Sequence, residues 1–266
     1  MHTPTKLFQT SQELDSFKLK WPLFLKSAVK YNPKIYQFND KKQTLAYDSE
    51  QLVPTKTGNR PPILLVLGNP ASHSVEAGMF FSFERQEKEH RFWKIMRDSG
   101  VLDLPVEPHL SIKEQNNQRK QRLLELNYKP PFRVGLCVFI SMPSAPSKDY
   151  SGVAGIQKLI GAKAMRRLEA AERERVLECA KEFLSPDGAV VAFQKNAWNG
   201  LCSENDPRYD RNLARSGKLK GAFIGNPNIP IFCVPPTRYA RPCRKILRQI
   251  LTEKYPDKFR DKIIGN

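Results

Sequence analysis

The chain has 266 residues, 40% of them hydrophobic, with 44 Lys+Arg against 27 Asp+Glu and a formal net charge of +17. That length and apolar content exclude a wholly disordered chain and suit one large domain, or a domain with an extension. No apolar stretch reaches the length needed to span a bilayer, and the opening MHTPTKLFQT carries no apolar signal region. An intracellular protein is therefore expected, cytoplasmic in a bacterium and nuclear in a eukaryote. The excess of positive charge points to an anionic partner, with nucleic acid ahead of a membrane surface. The five cysteines form no CxxC pair and the four histidines are scattered. The pattern reads as buried thiols, with no disulfide framework, no structural zinc site and no cysteine-ligated iron–sulfur cluster.

Residues 1–60 are polar and spotted with aromatic side chains. Trp21, Phe24 and Leu25 predict the beginning of a short helix that packs on the main domain, and Pro54–Pro62 reads as a linker. This predicts an N-terminal extension over 1–60, packed on a main domain over 61–266. From Pro62 strands and helices alternate. Ile63–Leu67 (ILLVL) is a continuous apolar run that predicts a strand buried on both faces. The spacing of Phe92, Ile95 and Met96 predicts a helix over Glu87–Ser99, stopped by Gly100. Residues 103–130 read as a mixed helix and loop insertion. Phe132–Ile140 (FRVGLCVFI) is the second buried strand, and 144–162, rich in Ser, Gly, Lys and Pro, reads as a long loop. A helix is expected over Ala171–Leu184, with Glu172 and Arg175 on its outer face. Strands three and four are expected at Ala189–Phe193 and Ile231–Val234. Pro242 then opens a last helix with Ile246, Leu247, Ile250 and Leu251 as its apolar stripe.

This alternation predicts an α/β domain: three layers, α/β/α, around a central, mainly parallel four-stranded sheet. Ligands of such sheets bind outside the carboxyl ends of the strands. Three of those ends carry unusual residues: Gly68-Asn69-Pro70, Ser141-Met142-Pro143 and Pro235-Pro236-Thr237-Arg238. Taken singly they are weak signals, because Asn is common in turns and clustered Phe residues are common in cores.

The segments taken together are more specific. GNPAS, GMFF and RFWKIMRDSGVL, then FRVGLCVFISMPSAPS, GAVVAFQKNAWNGL and IPIFCVPPTRYARPCRKIL, span roughly residues 60–252. In that order they resemble the motifs of the uracil-DNA glycosylase superfamily, closest to its mismatch-specific uracil/thymine-DNA glycosylase branch. The resemblance implies a DNA glycosylase that releases uracil or another damaged base in base-excision repair, with no metal or organic cofactor. It implies that Asn69 positions the attacking water, that Phe81 stacks on the flipped base, and that Phe80, Gly68 and Ser141 line the base pocket. It also implies that Thr237, Arg238 and Tyr239 enter the minor groove, with Arg238 or Tyr239 as the wedge. Arg241 and Arg244 would hold the DNA. The partner would be duplex or single-stranded DNA, bound by a monomer away from any membrane.

Some positions depart from the branch. Glycine directly precedes Asn69, Ala71 replaces a second glycine, and Pro235 and Arg238 stand where the branch has Asn and Gly. The histidine that the classical uracil enzymes carry on the last loop is absent. The alternatives are a non-catalytic DNA- or RNA-binding member of the same fold, and a hydrolase of free nucleosides or nucleotides. Two basic clusters, Arg238/Arg241/Arg244/Lys245/Arg248 and Lys158/Lys163/Arg166/Arg167, suit phosphate binding.

Overall fold

The computed structural model describes residues 6–28, 35–83, 88–129 and 131–259. Its first helix, α1 (Ser11–Ala28), starts ten residues before the expected one. Pro22 lies inside it, where a proline removes one helical hydrogen bond. The aromatic side chains account for the longer helix. Phe17 packs on Trp21 (ring centroids 5.0 Å apart) and Trp21 on Phe24 (5.6 Å). An antiparallel hairpin follows, β1 (Tyr36–Asn39) and β2 (Thr44–Tyr47), which the sequence reading did not foresee. Gln43, with φ +51°, closes its turn in place of the glycine that usually marks one.

This segment is bonded to the rest of the chain at several points. The Tyr36 hydroxyl donates to the Pro143 carbonyl at 2.9 Å, and Arg167 Nε donates to the Leu7 carbonyl at 2.7 Å. Leu52 exchanges two backbone hydrogen bonds with Leu136, of 2.9 and 2.7 Å, just before the expected linker.

The main chain then runs through β3 (Pro62–Leu67), α2 (Ser72–Glu76), α3 (Arg91–Ser99), α4 (Ile112–Leu124), β4 (Arg133–Val138), α5 (Gly152–Ile160), α6 (Ala162–Phe183), β5 (Ala189–Ala192), α7 (Lys195–Leu201), α8 (Arg211–Ser216), β6 (Lys220–Phe223), β7 (Asn226–Cys233) and α9 (Ala240–Lys254). The sheet has five strands, in the order β4-β3-β5-β7-β6, not four. Four are parallel; the added β6 is antiparallel to β7. The apolar run in Lys218–Asn228 is only three residues long, Ala222-Phe223-Ile224, and is bounded by glycines, so the longer runs that mark the other strands do not mark this edge hairpin.

Alternate residues of each strand feed two separate cores. Leu64, Val66, Cys137, Val190 and Ile231 join α5, α6 and α7, together with Phe17 and Phe24 of α1. Ile63, Leu65, Val134, Leu136 and Val191 join α3 and α9. The architecture is thus α/β, with helices on both faces of a mainly parallel sheet. Gly135 lies where α6 closes on β4; a Cβ there would lie 3.1 Å from the Phe183 ring and 3.2 Å from Leu64 Cδ1, so those side chains would have to shift slightly to admit it.

Other expectations need correction. The supposed loop over 144–162 contains α5, whose Val153, Ile156, Leu159 and Ile160 are buried. The glycines concealed it. Gly155 serves close packing, since a Cβ there would fall 2.0 Å from the Tyr150 backbone. Helix α6 starts at Ala162 rather than Ala171, and its Glu172 is 3% exposed, not on an outer face. The expected start of α3 at Glu87 lies outside the described residues; the helix begins after His90, whose Nδ1 accepts from Phe92 N at 3.1 Å. The segment after Asn69 forms the short helix α2.

Candidate functional site

The four parallel strands bring their carboxyl ends to one edge. From β3 the chain crosses to β4 on one side and returns to β5 on the other. The crevice between β3 and β5 is therefore the switch point, where sheets of this kind bind ligands. The segments that leave β3 and β4 stay paired beyond the sheet. Phe139 N donates to the Leu67 carbonyl (2.7 Å), Ile140 N to Gly68 (2.8 Å) and Ser144 N to Pro70 (2.9 Å). Across the switch point, a Cβ on Gly68 would lie 2.2 Å from Gln194 Oε1, so only glycine lets Gln194 settle there undisturbed.

Asn69 is half-buried at this crevice, and its Nδ2 donates to the Pro70 carbonyl at 2.9 Å. Phe81 has φ +52°, a conformation that costs a bulky residue of order 1–3 kcal/mol. Its neighbours hold it there. The ring stacks on Phe92 (4.5 Å, 18°) and contacts His90 (4.9 Å), and its carbonyl accepts from Trp93 Nε1 at 2.8 Å. Phe80 is 1% exposed within the core beside α3. Burial pushes the pKa of His73 down, against a smaller pull upward from Glu76.

Ser141 is also buried. Its backbone N–H donates to Glu172 Oε1 at 2.8 Å, and its hydroxyl bonds the same oxygen and lies 3.2 Å from the Tyr47 hydroxyl. Glu172 Oε2 pairs with Arg175 Nε at 2.6 Å. Arg175 also donates to Gln51 Oε1 (2.9 Å), to the Val138 carbonyl and to Cys137 Sγ (3.4 Å). Burial, then the Glu172 carboxylate, push the Tyr47 phenol well above its ordinary range. The Cys137 thiol is lowered to about 7, chiefly by the hydrogen bond with Cys179 and, against burial, by Arg175. The sequence reading missed this network. Its one signal is a carboxylate and a guanidinium three residues apart, which also fits an ordinary solvated helix face.

The basic residues divide. Arg244 pairs with Asp98 (3.0 Å), Lys158 with Asp149 (2.8 Å), and Arg167 with Glu13. Thr237, Arg238 and Tyr239 instead line a cleft of about 430 Å³, opposite Gln194, Lys195 and the first turn of α5. Arg211 and Arg215 of α8 complete its wall. Lys195 and Asn196 also border a second cleft, of about 350 Å³, with Glu169, Arg173 and Phe139. Among the described residues, neither cleft is lined by Asn69, Phe80, Phe81 or Ser141. Gln194, which touches Gly68, connects the Asn69 crevice to the larger cleft. Arg241 is exposed outside that cleft.

No protein-family model matches the chain, and no curated protein matches it in sequence. No helix among the described residues is long and apolar enough to cross a membrane.

Proposed function

We propose that the chain is a DNA base-excision enzyme of the uracil-DNA glycosylase fold, which releases uracil or another damaged base by hydrolysing the N-glycosidic bond. The observation that carries this reading is the position of Asn69, which follows β3 at the switch point and is linked through Gly68 and Gln194 to a cation-lined cleft. An extruded base stacks on Phe81. The Asn69 amide nitrogen is held by Pro70, which leaves its carbonyl oxygen to orient a water toward the sugar carbon. Water adds to that carbon as the bond to the base breaks. The base leaves with the electron pair and takes up a proton. Asn69 positions the water but does not deprotonate it, so a slow reaction is expected.

A non-catalytic nucleic-acid-binding protein is the second reading. It is favoured by the bond that Asn69 makes within its own turn and by the engagement of the Ser141 hydroxyl with Glu172. Oligonucleotides bearing single damaged bases, scored for abasic sites, separate the two. On the first reading at least one base is released, and Asn69→Ala slows release roughly 100-fold, the scale lost with one positioned polar group, while DNA affinity is kept. Full activity in Asn69→Ala would remove the catalytic assignment. Absence of release from every substrate would leave the binding-only reading.

A further inference from the structure

The larger cleft is built by an addition to the α/β alternation. Between β5 and β7 the chain inserts α8 and β6. Asp210 sets the start of α8 by accepting from Asn212 N (2.7 Å) and Leu213 N (2.8 Å), and the helix then presents Arg211 and Arg215 to the cleft. Lys195 and Arg238 also line it. All four cations are exposed, and the cleft lining holds no aspartate or glutamate. None of the four joins an ion pair among the described residues.

These charges converge. The guanidinium carbons of Arg215 and Arg238 each lie 5.1 Å from the centroid of the Tyr239 ring, and hence within twice that distance of each other. Arg211, Arg215 and Arg238 also act on one further phenol. Burial pushes the Tyr209 pKa up and these three arginines pull it back. An anion seated among these cations offsets the repulsion that the roughly 8 Å screening length of physiological salt leaves between them. The volume suits a nucleotide-sized group. The first turn of α5 lines the cleft and adds the positive end of a helix, its Gly152 N–H donating to the Ser144 hydroxyl at 2.9 Å.

We propose that this cleft is a phosphate subsite, holding one backbone phosphate of a nucleic-acid strand on Lys195, Arg211 and Arg215. The inference rests on the nucleic-acid reading above but not on base release. The chemistry recognised is a phosphate ester, which a free nucleotide also carries.

The test is fluorescence anisotropy with undamaged labelled single-stranded and duplex oligonucleotides over a salt series. It compares wild type, Arg211→Gln/Arg215→Gln, and the charge-matched control Lys41→Gln/Lys42→Gln on the exposed β1–β2 turn. Thermal melts check that each variant is folded, and Arg211→Lys/Arg215→Lys tests rescue by charge. The cleft variant is expected to bind more weakly and to lose roughly 0.7 (single strand) to 0.9 (duplex) from the slope of log K against log salt, the share of one phosphate. The control keeps the wild-type slope, and the Lys variant recovers most of it. Equal effects in the cleft and control variants would overturn the subsite. If thymidine monophosphate binds in an arginine-dependent way while the oligonucleotide slope is unchanged, the site belongs to a free nucleotide and the strand assignment falls. Because undamaged DNA is used, loss of base release in a separate assay bears only on the catalytic reading.

Discussion

At Gly68 and Asn69 a single methyl group decides the geometry of the crevice. Gly68→Ala would drive its Cβ into Gln194, the residue that links Asn69 to the cleft. The obstructing atoms end a flexible side chain, so the stability cost should be small and the functional cost larger. Melting temperature close to wild type, with reduced base release, is the expected result. Glu172 is the opposite case. It is 3% exposed and its carboxylate is bonded on both oxygens. Glu172→Ala leaves Arg175 without its partner and Ser141 N–H without its acceptor, a loss of about 3 kcal/mol or more. Glu172→Gln keeps an acceptor for Ser141 and should lose less; urea denaturation compares the two. His73 gives a pH signature. Its folded pKa lies below the ordinary value because burial disfavours the charged ring. Between the folded value and about 6.5 the unfolded chain binds more protons, so stability is present above that window and is lost as pH falls through it. His73→Gln should flatten the acid limb of a melting-temperature profile, and an unchanged limb would show that another group controls it.

Among the elements, those legible in the sequence are the ones whose side-chain pattern alone decides their structure. β3 and β4 are buried on both faces, so an unbroken apolar run marks them. The elements that were misread depend on partners distant in sequence. α5 carries the glycines of a loop, yet its Gly155 is there to meet the Tyr150 backbone. The helix expected to begin at Trp21 starts ten residues earlier, and the packing of Trp21 against Phe38 and Phe24 holds it through Pro22. β6 gains its place by pairing with β7, which no long apolar run announces. The same distinction governs the site. The strand-end motifs were visible as sequence, whereas Gln194, Arg211 and Arg215 join them only through topology. Gly155→Ala tests the packing account of α5. The added Cβ meets backbone, which cannot swing aside, so an overpacking loss of about 3 kcal/mol is expected against at most about 1 kcal/mol gained in helix propensity. An unchanged or raised denaturation midpoint would show that α5 sits looser than its contacts imply.

For the molecule as a whole, the question is whether residues 6–47 form an appendage or part of the core. Their buried side chains Leu7, Phe8, Phe17, Phe24 and Tyr36 belong to the same cluster as Val66 of β3, Ile156 of α5 and Val176 of α6. Tyr47 reaches the Ser141–Glu172 network at the end of β4, and Tyr36 bonds the Pro143 carbonyl next to it. Arg167 on α6 ties down Leu7, Gln9 and Glu13. An appendage that merely rests on a finished domain does not share its central aromatic cluster or complete a buried ion-pair network. Deleting residues 1–47 would strip cover from α5 and α6 and remove the Tyr47 hydroxyl from Glu172. Each large apolar side chain whose partner surface is returned to water loses about 1.5–3 kcal/mol of burial, and several such losses approach the 5–15 kcal/mol that separates a typical domain from its unfolded state. The truncated chain is therefore expected to be insoluble, or to lose its cooperative thermal transition. A subtler variant tests the coupling in the full-length chain. Tyr47→Phe keeps the ring and removes only the hydroxyl, so it should leave the fold intact with a loss of about 1 kcal/mol. If its melting temperature instead falls as far as that of Glu172→Ala, Tyr47 is a principal support of the network. If the 1–47 deletion melts like wild type, the N-terminal segment is an appendage after all.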